Sequence, residues 1–253
     1  MIELLRNCSH ESETATYLVT ENTRNKRILK TASSLAGINS LEREIEGWEW
    51  YRHLRYPEGT RSVCRINQKR AGYLKIEIEF IEGVKADYKK GFEKNEAVIK
   101  KTMEHYCGIW PYNSDGSSAM HGDLSLDNII YNAQGIHIID WEHFSRKGAP
   151  WGFDAVYLLF ETLYFGMNSR KQPSFRELNF IADCIILLGR SKHLKVDFIK
   201  CPLKAVRDFI QAFPALWGEH LSAAPRKLPV ISFTDEQVFF MDQYLFSKTK
   251  VML

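Results

Sequence analysis

Met120-His121-Gly122-Asp123-Leu124-Ser125-Leu126-Asp127-Asn128-Ile129-Ile130-Tyr131-Asn132-Ala133-Gln134-Gly135-Ile136-His137-Ile138-Ile139-Asp140-Trp141-Glu142 is the stretch on which the reading of this chain turns. Ile129–Tyr131 and Ile136–Ile139 are short apolar runs of strand character, and Asn132-Ala133-Gln134-Gly135 between them is turn-forming. In such a hairpin the residue before the first strand and the residue after the second share the open end. Those residues are Asn128 and Asp140, with Asp123 on the approaching loop. Two carboxylates and an amide oxygen are hard ligands, the set that suits Mg²⁺ when it also keeps waters and binds substrate phosphates. The plainer alternative is a surface loop in which Asp and Asn only make turns.

Working outward, the first eighty residues are strand-like apart from one helix. Ile2–Arg6, Thr14–Val19 and Arg27–Lys30 favour strands, as do Ser62–Asn67 and Tyr73–Ile81. A helix is expected over Ser40–Leu54, opened by Asn39 with Glu42 as a capping box. Leu41, Ile45, Trp48 and Tyr51 form its apolar stripe, and Glu44 lies beside that stripe. Beyond Gly83 the pattern turns helical, with helices expected at 93–106, 155–165, 175–188, 203–217 and 235–246. A small β-rich part (1–82) followed by a larger helical part (83–253) is an α+β arrangement.

Composition narrows the function classes. The chain has 253 residues, 45% hydrophobic and 26% charged, which is globular and argues against wholesale disorder. A net charge of +3 without a basic stripe gives no electrostatic case for nucleic acid. The greasiest run, Phe180–Leu188, holds Asp183 and is too short for a membrane span. The amino terminus lacks the pattern of a secretory signal. Five scattered cysteines (Cys8, Cys64, Cys107, Cys184, Cys201) fit a reducing compartment, so a cytoplasmic location is expected. Walker-type and dinucleotide glycine fingerprints, the nucleophile elbow and the zinc-helix motif are all missing.

His121-Gly122-Asp123-Leu124-x-x-x-Asn128, followed by Ile139-Asp140-Trp141-Glu142, resembles the catalytic loop and metal carboxylate of protein-kinase-like small-molecule kinases. That family holds the aminoglycoside phosphotransferases and the choline and ethanolamine kinases. The resemblance spans roughly residues 14 to 165 and implies a two-lobed protein-kinase-like fold using ATP and Mg²⁺. It further implies Asp123 as the base at the acceptor hydroxyl and Asn128 and Asp140 as Mg²⁺ ligands. Lys30, ending the third strand, would orient the phosphates, held by Glu44 on the helix. An exposed Glu44 paired along its own helix is the competing reading. Glu79-Phe80-Ile81-Glu82-Gly83 resembles the segment whose backbone meets the adenine edge, implicating Glu79 and Ile81, although an edge strand ending in a turn reads the same. Ser125 stands where protein kinases carry a lysine on the γ-phosphate. Asp154, after Gly152-Phe153, would buttress the catalytic loop, cap a helix, or do both.

The chain departs from the family in three places: Ser125 replaces the lysine of the protein kinases, the helical C-terminal part is short for the superfamily, and the loop between the first two strands has an unusual composition. Asn7-Cys8-Ser9-His10-Glu11-Ser12-Glu13, between the first two strands, contains no glycine, whereas family members use glycine there to bring backbone N–H groups to the phosphates. The expected partner is a small-molecule hydroxyl acceptor, with choline, an aminoglycoside and a sugar or glycan precursor all open. Trp141, Glu142, Phe144 and Trp151 flank the motif and offer either a cation–π cage for a quaternary ammonium or ordinary core. The rival reading is a catalytically weak pseudoenzyme that acts as a nucleotide-binding or protein-interaction scaffold.

Overall fold

A computed structural model describes residues 1–7, 13–22, 25–55, 63–87, 91–167, 170–217 and 231–253. The sequence reading of Cys8–Ser12 and of the Pro225/Pro229 segment falls outside the described residues. The described residues fall into two units. One comprises Met1–Glu82 together with Asp140–Ser145, and the other holds Gly83–Ile139 and the rest of the chain from Arg146.

The first unit is an antiparallel sheet of β1 (Ile2–Arg6), β2 (Thr14–Asn22), β3 (Asn25–Ala32), β4 (Cys64–Arg70) and β5 (Tyr73–Glu79), ordered β1-β2-β3-β5-β4. Alternation sets its inner face. Leu74, Ile76 and Ile78 on β5 are buried, and Lys30 and Ala32 on β3 are paired with Ile76 and Leu74. Lys30 therefore belongs to the covered face by register.

Helix α1 (Leu35–Arg55) covers that face. It starts five residues before the expected Ser40, because Ser34 supplies the cap through its hydroxyl to the Gly37 N–H at 3.0 Å. Asn39 is thus interior to the helix and the predicted capping box does not form. The buried stripe is Gly37, Leu41, Glu44, Trp48 and Tyr51, and Ile45 sits only at its edge. Glu44 occupies the centre of the apolar face rather than its border, and the exposed alternative is overturned.

The segment Asp140–Ser145 completes this unit. Trp141 is fully buried, with ring centroids 6.4 Å from Trp48, 5.0 Å from Tyr51 and 5.8 Å from Phe144. The approach is close enough that Gly47 is required: a Cβ there would lie 2.6 Å from the Trp141 Cβ. Trp141 and Phe144 are therefore core, and so is Trp151 in the second unit, edge-on to Tyr106 at 5.3 Å. No aromatic cage of the predicted kind forms from them.

The second unit centres on α3 (Phe153–Gly166), whose residues from Phe153 to Leu163 are all buried. A helix buried on every side takes the middle of a packed structure, and Asp154 and Glu161 are polar exceptions along it. Around it are α2 (Gly91–Ile109), α4 (Phe175–Gly189), α5 (Val196–Lys200), α6 (Pro202–Trp217) and α7 (Asp235–Thr249). Ser174 with Glu177 and Thr234 with Gln237 make reciprocal capping boxes on α4 and α7. The short α5 carries too little periodicity to be read from sequence. Strands β6 (Val84–Lys85), β8 (Ile129–Asn132) and β9 (Gly135–Ile138) form one small sheet, and β7 (Ser117–Met120) pairs with β10 (Ser145–Pro150).

Candidate active site

In the first unit the groups converge on Lys30. Its ammonium donates to Glu44 at 2.8 Å, Asp140 at 2.6 Å and Glu142 at 3.2 Å. Oxygens of these three carboxylates all lie within 4.8 Å of one another, a spacing that isolated anions would not tolerate and that the enclosed ammonium accounts for. Burial on its own would lower the Lys30 ammonium, but Asp140, then Glu44 and Glu142, outweigh it and hold it above its ordinary range. Glu44 accepts a second bond from the Trp48 indole at 2.8 Å, so both of its oxygens are satisfied in a fully buried place. Removing one partner of a pair buried this way costs about 3–5 kcal/mol.

Arg6, at the end of β1, is a second cation on the same carboxylates. Its guanidinium bonds to Glu142, to the Thr14 hydroxyl at 2.9 Å and to Asp140 at 3.4 Å. Burial alone would lower it, and Asp140 and Glu142 raise it. Glu142 is anchored further by Thr14 at 2.9 Å, while Arg43 donates to its backbone carbonyl at 2.7 Å. Asp140 itself has a left-handed backbone, φ 63°. That conformation is costly for a non-glycine residue and is typical of positions held by their surroundings.

In the second unit the loop 121–128 is locked from three sides. Asp154 accepts the backbone N–H groups of His121 at 2.8 Å and Gly122 at 2.9 Å. The helix cap before it is Gly152, φ 91°, so Asp154 is the buttress and not the cap. The Asp123 N–H donates to His121 Nδ1 at 3.3 Å, which leaves Nε2 as the protonated nitrogen facing the Ile139 carbonyl at 2.9 Å. The Asn128 amide nitrogen donates to the Asp123 carbonyl at 2.8 Å. A nitrogen committed to that bond fixes which way the amide oxygen is presented. The Ile139 N–H donates to the Asn128 carbonyl at 2.9 Å, tying the hairpin's two ends together one residue before Asp140.

The geometry thus brings Lys30, Glu44 and Asp140 together in one unit, and Asp123 with Asn128 in the other. Ser125 is buried at the head of the 3₁₀ turn Leu126–Asn128, with its carbonyl accepting the Asn128 N–H at 3.0 Å. Glu79 ends β5, bonded through its N–H to the Val63 carbonyl at 2.8 Å, and Ile81 follows in irregular chain. Three residues escaped the sequence reading in these roles. Arg6 lies outside the motif altogether. Tyr157 and Glu161 sit one turn apart on α3, buried, and the Tyr157 hydroxyl and Glu161 Oε2 have no partner among the described residues. Burial, then Asp123 and Asp127, push the Glu161 carboxyl up to about 8. A polar residue spaced i+7 from Asp154 within an otherwise apolar helix was the available signal.

No protein-family model matches the chain, and no curated protein matches it in sequence. Solved structures do match in shape. The amicoumacin kinase hAmiN in complex with AMP-PNP, Ca²⁺ and Ami superposes with TM-score 0.52 at 11% identity, covering 99% of this chain and 88% of that one. The GDP and kanamycin complex of APH(2")-IIia gives 0.53 at 13% identity, covering 99% and 93%. The GDP complex of aminoglycoside 2'-phosphotransferase-IIIa gives 0.51 at 13%, covering 100% and 93%. The chain accordingly has the protein-kinase-like fold, in the form shared by the aminoglycoside phosphotransferases and an amicoumacin kinase.

Proposed function

We propose that the protein is an ATP- and Mg²⁺-dependent phosphotransferase acting on a hydroxyl of a small molecule that also carries a cationic nitrogen. The observation that carries the reading is the Lys30–Glu44 ion pair, closed at 2.8 Å inside an apolar unit. A buried pair is weak evidence for stability as such. It is what phosphoryl transfer needs, because catalysis there is positioning and charge neutralisation. The likeness in shape to enzymes solved with nucleotide and with kanamycin or Ami agrees with it.

Lys30, steadied by Glu44, orients the α- and β-phosphates. Asn128 and Asp140 would hold Mg²⁺ through their hard oxygens, in exchange for the contacts of Asp140 with Lys30 and Arg6. That donor chemistry fits the ion. An ion held there would offset charge on the phosphate oxygens. Asp123, its backbone fixed by His121 and Asn128, takes the proton of the acceptor hydroxyl. Ser125 lines the loop beside the γ-phosphate, and the backbone of Glu79 and Ile81 meets the adenine. On the acceptor side, Tyr157 and Glu161 offer an unpaired hydroxyl and carboxylate oxygen beside the charge of Asp123. An ammonium satisfies both and offsets the burial and the neighbouring negative charge that together raise Glu161.

The test is ADP release with a panel of alcohols with and without an amine. Asp123→Asn is expected to lower kcat by roughly 10²–10⁴-fold while Mg-ATP binding persists. Full activity in that variant removes Asp123 from its role. Glu161→Gln is expected to raise KM for amine-bearing acceptors alone. The scaffold reading has one observation in its favour: Lys30 and Arg6 already bind Asp140, as a permanent salt-bridge core would. A Mg²⁺-dependent thermal shift with ATP sets aside a scaffold that binds no nucleotide, and acceptor-dependent ADP release sets aside one that does.

A further inference from the structure

The phosphate loop of this chain has no glycine, yet a nucleotide triphosphate must be met by positive potential. The residue that enters that loop is Arg6. Its guanidinium is a third exposed and faces the carboxylates that surround Lys30. Its Nε is buried and has no hydrogen-bond partner among the described residues. An unpaired buried donor is costly, and a planar fork of N–H groups matches phosphate oxygens better than any other side chain. Two cations, Arg6 and Lys30, share three carboxylates, Glu44, Asp140 and Glu142. Only Glu44 faces Lys30 alone.

We propose that Arg6 is a second phosphate-binding cation of the nucleotide site, doing with its side chain what glycine-loop backbone amides do elsewhere. The inference rests on the proposed kinase reading. Without nucleotide, Glu142 and Asp140 hold the guanidinium in place and neutralise it. With a polyphosphate present, the more highly charged anion displaces Asp140 from Nη1, the weaker contact at 3.4 Å, while Thr14 and Glu142 keep Nη2 aligned. Arg6 positions phosphate and takes no part in proton transfer.

The experiment measures binding of Mg-ATP, Mg-tripolyphosphate and adenosine to the full chain and to Arg6→Ala and Arg6→Lys. Arg6→Ala is expected to weaken ATP and tripolyphosphate by about 10- to 100-fold and to leave adenosine unchanged. Arg6→Lys should recover part of the loss, since charge returns without the fork. In the unmodified protein, saturating Mg-ATP should block labelling of Arg6 by phenylglyoxal, a readout that holds even if the alanine variant does not fold. ATP affinity unchanged in Arg6→Ala overturns the proposal, as does equal weakening of all three ligands or labelling indifferent to ATP. If the unmodified protein binds neither ATP nor tripolyphosphate, the kinase reading fails as well, so the two failures are told apart.

Discussion

Glu44 carries a charge at the centre of an apolar helix face, and it is tolerated because Lys30 and the Trp48 indole satisfy its two oxygens. Glu44→Ala is expected to cost about 3–5 kcal/mol, read by denaturant titration, with Glu44→Gln costing less because it keeps the bond to Trp48. Glu161 behaves differently, since its Oε2 has no partner among the described residues. Its carboxyl is raised from 4.5 to about 8, so the folded state holds a proton that the unfolded chain has released. Stability from this group is therefore full below pH 4.5 and declines as pH rises towards 8. Glu161→Gln should flatten the fall of Tm between pH 5 and 8 on a roughly 3.5-unit window. These assignments differ in how they were read. Asp123, Asn128 and Asp140 stood out by spacing, and Lys30 by its place on a strand. Arg6 and Glu161 carry no local motif, because their meaning comes from distant residues brought near by folding.

At the scale of elements, α1 shows where sequence reading loses precision. Its stripe was legible from Leu41, Trp48 and Tyr51, but its start was not, because Ser34 and Asn39 are equally good caps on paper. What decides is the bond that the Gly37 N–H donates to the Ser34 hydroxyl oxygen. Gly47 is silent in the sequence and decisive in the packing, since only a missing Cβ lets Trp141 approach. Gly47→Ala is expected to destabilise by about 1–3 kcal/mol through overpacking, despite alanine's better helix propensity, and calorimetry reads the sign directly. Helix α6 opens at Pro202 and takes its cap from another helix: Asp242 accepts the N–H groups of Leu203 at 2.9 Å and Lys204 at 3.1 Å. Burial raises that carboxyl to about 6, against those two bonds. No local reading of residues 198–204 reveals a cap that lies some forty positions away.

For the whole molecule, the division into two units near Gly83 coincides with a change from strand to helical pattern that the sequence displays. The return of Asp140–Ser145 to the first unit is the part that pattern does not display. Those six residues supply Trp141 to its core and Asp140 and Glu142 to its cations. A fragment ending at Glu82 would leave Lys30 with one of its three carboxylates, and Trp48 and Tyr51 without the indole of Trp141. Such a fragment is expected to show poorly dispersed amide resonances, whereas the full chain melts cooperatively.

This return has a bearing on synthesis. The strands and α1 leave the ribosome first, and nearly sixty residues must still be made before Asp140 emerges. At ordinary elongation rates that is an interval of roughly 3–12 s. Throughout it, Lys30 keeps Glu44 alone of its three carboxylates and Arg6 keeps the Thr14 hydroxyl but neither of its own, and the groove over Gly47 stands open to any indole or phenyl ring that reaches it. The nascent chain is thus most exposed to mispairing and chaperone capture midway through translation, and the arrival of one tryptophan closes that window.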